Sequence, residues 1–421
     1  MRLCGILFRM AANWSFAMND LLISGAKIWT LDDAAGTLES GWLSAKDGII
    51  TGVGSGEPPE GRLAKLTVDA KGSNLMPALA DCHTHLMEYA TAEVHGTSSR
   101  AQGMAAVSNL LTALKCGIVA TGEHHLGHPV LNMPMEDYKK LIGITPMASA
   151  VSFGCCQLGF EPRVFTSCTR PGEAFAEDIL SDDEYRQMAR ESEFAGENIF
   201  LNYTCANAPL EAVPHAGEIT YNREKLERII DIFHSENREI GAHIEGDASA
   251  RMFIECGGDV IHHGHMLSQE LGELIAEKNI KLVITPSAGT SKRPTSPEEA
   301  YGFYRQGVFM ALASDSYIPL HPAAGWIPLP PNFMSGPEQF LKICAPILRY
   351  FVEQGVSREK ALALITINGR KMISPNSPMT VLAAGRPADL ILCDRLPALE
   401  TVESSDIKLV IAGGFIQVDR R

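Results

Sequence analysis

The segment Asp81-Cys82-His83-Thr84-His85 closes an apolar run and is the strongest local chemical signal in this chain of 421 residues. Two residues apart on a strand, the imidazoles of His83 and His85 point to one side and can share a cation. The plain alternative is a pair of strand-end histidines bonded to backbone. His243 and Asp315, each at the end of another apolar run, strengthen the metal reading. Three neutral imidazoles and a carboxylate suit zinc or a similar divalent ion, with one position left for water. All 13 histidines lie between His83 and His321, a restriction that scattered surface histidines would not respect.

Other polar residues carry two readings each. Glu123-His124-His125, with His128 close behind, either lines a pocket or caps a strand end. His262 and His265 flank His263; alternation along a strand sends His262 to the opposite side, toward a structural role, and His265 is open. The proline-rich loop from Ser316 to Pro331 holds Tyr317, His321 and Trp326, and is either a substrate wall or a packing loop. Arg293 could meet a substrate carboxylate or simply be solvated. Glu245, Tyr203, Tyr317 and Trp326 are the residues expected to contact substrate.

These residues need a scaffold that brings strand ends together. Residues 20–70 read as β-structure, with a hairpin turn at Lys46-Asp47-Gly48. Eight short apolar strands then alternate with helical stretches: Leu75–Cys82, Gly117–Gly122, Thr145–Phe153, Ile199–Cys205, Ile240–His243, Val260–His263, Leu282–Pro286 and Val308–Asp315. The helical period is clearest at Leu226, Ile229, Ile230 and Phe233, with Asn222 as N-cap. Eight such units predict an α/β (β/α)8 TIM barrel, whose sites form at the C-terminal strand ends. β-like runs return at Asp389–Cys393 and Ile407–Val418. The expected partition is therefore a small β-sandwich domain from residues 18–74 and 375–421, with the barrel over 75–374. Residues 1–17 read as an extension outside the fold.

On these motifs the chain from Met18 onward resembles the amidohydrolase superfamily, nearest to the imidazolonepropionase-related hydrolases. The marks are His83-Thr84-His85, His243, Ile261-His262-His263-Gly264 and Ser314-Asp315, followed by Thr366-Ile367-Asn368-Gly369 and Gly385-Arg386-Pro387-Ala388-Asp389-Leu390. The resemblance implies that His83, His85, His243 and Asp315 hold the metal. It makes Asp315 also the proton shuttle, and His263 a group that polarises the substrate carbonyl or serves as a further ligand. Two departures matter. Where dinuclear members carry a carboxylated lysine this chain has Asn202, which implies one metal per chain. Ring deaminases tend to carry a glutamate three residues after the strand-five histidine. Gly246 stands there, with Glu245 and Asp247 on either side as alternative acids or bases.

Composition narrows the function. A net charge of −14 argues against nucleic acid and anionic membranes as partners. Ten cysteines without a C-x-x-C pair read as reduced thiols in a cytoplasmic protein. Leu141–Phe160 is uncharged, but Pro146 and its glycines favour a buried strand and loop over a membrane span. Gly52-Val53-Gly54-Ser55-Gly56 runs into Glu57-Pro58-Pro59 instead of the helix that a dinucleotide site needs. The expectation is a zinc- or other divalent-metal-dependent hydrolase that cleaves an amide or cyclic amide C–N bond of a small molecule through metal-activated water. The rivals are a deaminase of an aminated heterocycle and a catalytically dead barrel kept for binding. Homo-oligomerisation is compatible with either.

Overall fold

A computed structural model of the chain describes residues 18–86, 99–124, 152–157, 181–191, 198–201, 217, 219, 221–288, 291–376 and 380–421. Residues 1–17, Asn202, Tyr203, His125, His128 and most of Leu141–Phe160, each singled out from sequence, lie outside them. The chain divides into two units.

The first unit comprises the described residues up to Pro77 with Thr380–Asp394 and Lys408–Arg421. Its strands are β1 (Asn19–Trp29), β2 (Thr37–Lys46), β3 (Ile49–Ser55), β4 (Ala64–Asp69), β5 (Asn74–Pro77), β14 (Leu390–Cys393), β15 (Ile407–Ala412) and β16 (Phe415–Asp419). All belong to one hydrogen-bonded mixed sheet in the order β16-β15-β14-β5-β1-β2-β3, with β4 also paired to β1. The expected β2–β3 hairpin forms: Asp47 and Gly48 both have positive φ, as a tight two-residue turn requires, and Lys46 pairs with Ile49. Alternation along β1 puts Leu21, Ile23, Ala26 and Ile28 into a core with Leu43, Leu75, Leu390, Leu409 and Ile411. A register shift between Ile23 and Ala26 divides the strand, so β4 pairs with its first part and β5 with its last.

The second unit runs from Ala78 to Met379 and includes Arg395–Ile407. The expected strand Leu75–Cys82 is in fact two. Pro77, which has no N–H to give a ladder, ends β5, and β6 begins at Leu79. The strands β6 (Leu79–Thr84), β7 (Ile118–Glu123), β8 (Ser152–Gln157), β9 (Asn198–Leu201), β10 (Glu239–Glu245), β11 (Val260–His265), β12 (Lys281–Ile284) and β13 (Met310–Leu312) form a sheet in sequential order. The pairings recorded between them are parallel. At its outer strands the Asp315 N–H donates to the His83 carbonyl at 3.0 Å, and Thr84 makes a parallel bridge with Ser316.

Described helices include α1 (Ser99–Lys115), α2 (Asp182–Glu191), α3 (Arg223–Ser235), α4 (Asp247–Glu255), α5 (Glu270–Glu277) and α6 (Pro297–Arg305). Helix α3 carries the predicted apolar stripe, buried, and the Asn222 side chain caps it by accepting from the Lys225 N–H. This is an α/β fold of TIM-barrel type accompanied by a sheet domain. No described helix is long and apolar enough to cross a membrane.

Candidate metal centre

Strand ends of the second unit deliver a nest of buried imidazoles around one carboxylate. His83 and His85 stand at the end of β6 and just past it, and both turn Nε2 toward Asp315 Oδ1, at 3.4 and 3.2 Å. His263 on β11 places Nδ1 3.8 Å from Asp315 Oδ2. His243 on β10 joins through His263, their ring centroids 4.3 Å apart. His83, His85 and Asp315 form a group whose ligand atoms lie within 4.8 Å of one another. The structure thus gathers the four sequence-derived ligands and His263 into one buried nest.

Backbone geometry aims two of these side chains. The eighth strand was expected to reach Asp315, but β13 ends at Leu312. Asp315 sits in the following turn with φ 54°, and His263 has φ 70°. Non-glycine residues in the left-handed region cost about 1–3 kcal/mol and collect where function requires a strained aim. This turn also corrects the expectation for His262. Val260, on the same strand face as His262, packs with Ala80, Ala120, Val283 and Ala311. His262 follows it inward, while the left-handed turn brings in His263 as well. The Nδ1 atoms of His262 and His83 lie 2.9 Å apart. One proton serves that pair, so a His83 that donates Nδ1–H to His262 presents a bare Nε2 lone pair to Asp315.

Desolvation holds these imidazoles neutral. Burial, assisted by neighbouring histidines, takes His83 and His263 well below the ordinary value. Burial likewise takes His243 to about 4 and His262 and His265 to about 3. Burial alone would raise the carboxyl of Asp315, but the adjacent His85 ring and the fields of His263 and His243 leave it below the usual carboxylate value. Both oxygens of Asp315 are buried without a hydrogen-bond partner among the described residues. An ionised carboxylate desolvated among neutral imidazoles needs a compensating charge, and a cation bound between these nitrogens and Asp315 would supply it. The donor set of neutral nitrogens and one anionic oxygen therefore fits a divalent ion of the zinc type.

The other candidates fall on both sides. Glu245 is buried beside the nest at the end of β10, accepting at Oε1 from the Lys292 N–H at 2.8 Å. Asp247 is occupied: it opens α4 and accepts from the Ser268 N–H. Tyr317 is half-buried and donates its hydroxyl to Asn109 on α1. Trp326 packs with the cluster of Leu320, Ala324, Ile327 and Ile343. Arg293 is exposed and gripped at both terminal nitrogens by Glu299. His124 stacks on His83 with centroids 3.9 Å apart and planes 6° from parallel. A metal must lie in the plane of each imidazole it binds, and parallel planes share no point. The grouping of His83, His124 and His262 is therefore a packing and hydrogen-bonding cluster, the strand-capping reading of His124.

Three supporting residues had no role assigned from sequence. Asp81 is buried and accepts from both the N–H and the hydroxyl of Ser314, tying β6 to the turn that carries Asp315; burial pushes its carboxyl up to about 7 despite these bonds. Thr285 and Thr295 hold Nδ1 of His263 and His265 at 2.7 and 3.0 Å. Only the position of Asp81, two residues before His83, could have suggested its role. The threonines depend on contacts between strands.

Parallel strands with a rim of histidines at their C-terminal ends and a carboxylate after the eighth define an α/β protein whose site is compatible with a divalent metal. Residues 74–417 match the amidohydrolase family, and the chain belongs to that family. Among curated proteins it is 41% identical over 68 residues to 5'-deoxyadenosine deaminase of Methanosarcina acetivorans, spanning 16% of this chain and 15% of that one. It is 29% identical over 124 residues to imidazolonepropionase of Streptococcus pyogenes, 28% of this chain and 29% of that one. The matches thus span under a third of these relatives. Among solved structures, A. niger ochratoxinase superposes with a TM-score of 0.69 at 19% identity, covering 96% of both chains. A zinc-bound adenosine deaminase from Xanthomonas campestris gives 0.65 at 15%, covering 96% of this chain and 94% of that one. At such identities these structures speak to the fold.

Proposed function

We propose that the protein is a metal-dependent hydrolase cleaving a non-peptide C–N bond, an amide or cyclic amide, of a small molecule. The observation that carries this reading is the buried convergence of His83 and His85 on an Asp315 carboxylate that lacks hydrogen bonds. His83, His85, His243 and Asp315 would hold one divalent ion, zinc or similar. That ion, when bound, supplies Lewis acidity to the reacting carbonyl and lowers the pKa of water.

Asp315 accepts the proton of the attacking water and passes it to the leaving nitrogen, so a C–O bond forms, the C–N bond breaks and the amine departs neutral. His263, held by Thr285, orients toward the carbonyl oxygen as a hydrogen-bond donor. Asp81 fixes the turn under Asp315, and burial of the nest keeps bulk water from the proton being transferred. The bridge between Thr84 and Ser316 supports reading the parallel sheet as a closed barrel.

The test is a panel of small amides, cyclic amides and aminated heterocycles, with acid, amine and ammonia followed separately. Turnover of amides without ammonia from the ring amines is expected. The local likeness to a deaminase favours one rival, and ammonia release from a ring amine with inert amides would replace hydrolysis by deamination. No turnover of any member by metal-loaded protein would favour a binding module.

A further inference from the structure

Beside the metal nest lie buried acceptors that the mechanism above leaves unused. Glu245 and His265 are register partners on adjacent strands, β10 and β11, and the Gly246 N–H donates to the His265 carbonyl at 2.9 Å. Glu245 is 4% exposed and His265 fully buried. Glu245 Oε1 is taken by the Lys292 N–H, but Oε2 is buried without a hydrogen-bond partner. Thr295 bonds Nδ1 of His265 and gives its own single proton to the Gly264 carbonyl. The histidine must then donate from Nδ1, which leaves Nε2 as a lone-pair acceptor, also buried and unpartnered. The His265 ring centroid is 5.8 Å from that of His263, so the pair adjoins the proposed reaction centre.

A carboxylate oxygen and an imidazole lone pair, both desolvated, call for a ligand with N–H donors and positive charge. No described lysine or arginine forms an ion pair with Glu245: Arg293 is spent on Glu299, and Lys292, whose side chain is exposed, bonds it through its backbone N–H. A bare metal ion is a poorer occupant, because among the described residues no group of three metal-ligating side chains includes Glu245 or His265.

We propose that Glu245 and His265 form a subsite for an amidinium or guanidinium group on the substrate, seated beside the bond to be cleaved. One amidinium N–H meets Glu245 Oε2 and a second meets His265 Nε2, and the charge offsets that of the carboxylate. This rests on the hydrolase reading for the fate of the ligand, while the binding preference stands apart from turnover.

The experiment is calorimetric titration of the metal-loaded protein with benzamidine and with benzamide, which match in shape but differ in charge and in N–H count. Benzamidine should bind about tenfold or more tightly, and Glu245→Gln should collapse that ratio. His265→Gln, measured as a second variant, should weaken benzamidine more than benzamide. Equal affinities in the unaltered protein, a preference for benzamide, no binding of benzamidine, or a preference that survives Glu245→Gln would overturn the proposal. The comparison in the unaltered protein decides the matter even if a variant fails to fold. Because no product is measured, failure of the hydrolase reading would appear in the amide panel, and failure of the subsite would appear here.

Discussion

Asp315 carries two opposed demands. Its burial favours the neutral acid, whereas the surrounding imidazoles favour the carboxylate, and the second effect prevails. A carboxylate kept ionised without hydrogen bonds is fitted both to hold a cation and to accept a proton. Asp315→Asn keeps the volume and one oxygen but removes the proton acceptor. If Asp315 is the shuttle, turnover falls by about 10²–10⁴-fold with little change in substrate affinity. Metal content should fall less than in His83→Ala. Near-normal turnover would move the base to Glu245 or His263. Complete loss of metal would make Asp315 chiefly a ligand.

At the scale of elements, the site depends on how closely β6 and β7 approach. A Cβ added at Gly122 would collide with the Cys82 carbonyl oxygen, a backbone atom that cannot rotate away. The Gly122 carbonyl also receives the Thr84 hydroxyl and Nδ1 of His124. Gly122→Ala should therefore destabilise the protein by about 1–3 kcal/mol and weaken metal binding by displacing His83. Chemical denaturation and chelator competition would check both effects, and an alanine variant indistinguishable from the parent would show that the strands can part freely.

Much of this scale was legible in the sequence because it depends on local pattern. The 3.6-residue period of α3, the β2–β3 turn and the paired histidines of β6 all follow from neighbouring residues. What failed to read out depends on backbone turns and on distant partners. A positive φ at His263 overrides the alternation that assigned His262 outward. Pro77 divides an apolar run that looks continuous. Arg293 and Asp247 found partners, Glu299 and Ser268, that spacing alone does not reveal as occupied.

At the scale of the whole molecule, six of the buried histidines among the described residues, His83, His124, His243, His262, His263 and His265, are held below their ordinary pKa by burial. In the unfolded chain each takes a proton near pH 6.5. Between that value and about 4, unfolding therefore binds protons and stability falls as pH falls, by about 1.4 kcal/mol per pH unit for each net proton. Asp81 and Glu245, whose carboxyls are raised by burial, act in the opposite direction but are outnumbered. His234, its pKa raised by bonding to Asp259, opposes only above pH 6.5, and a partly exposed pair contributes little. The melting temperature of chelator-treated protein should drop clearly between pH 7 and pH 5. A flat profile would mean that the nest is already protonated or open to water.

All of this chemistry depends on whether the imidazole nest holds a metal, and how many. Elemental analysis of purified protein, alongside His83→Ala prepared identically, addresses that directly. The expected result is about one divalent ion per chain, because Asn202 cannot supply a bridging carbamate, with most of it lost from the variant. Two tightly bound ions, none, or an ion retained in full by His83→Ala would contradict a mononuclear centre built on His83, His85, His243 and Asp315.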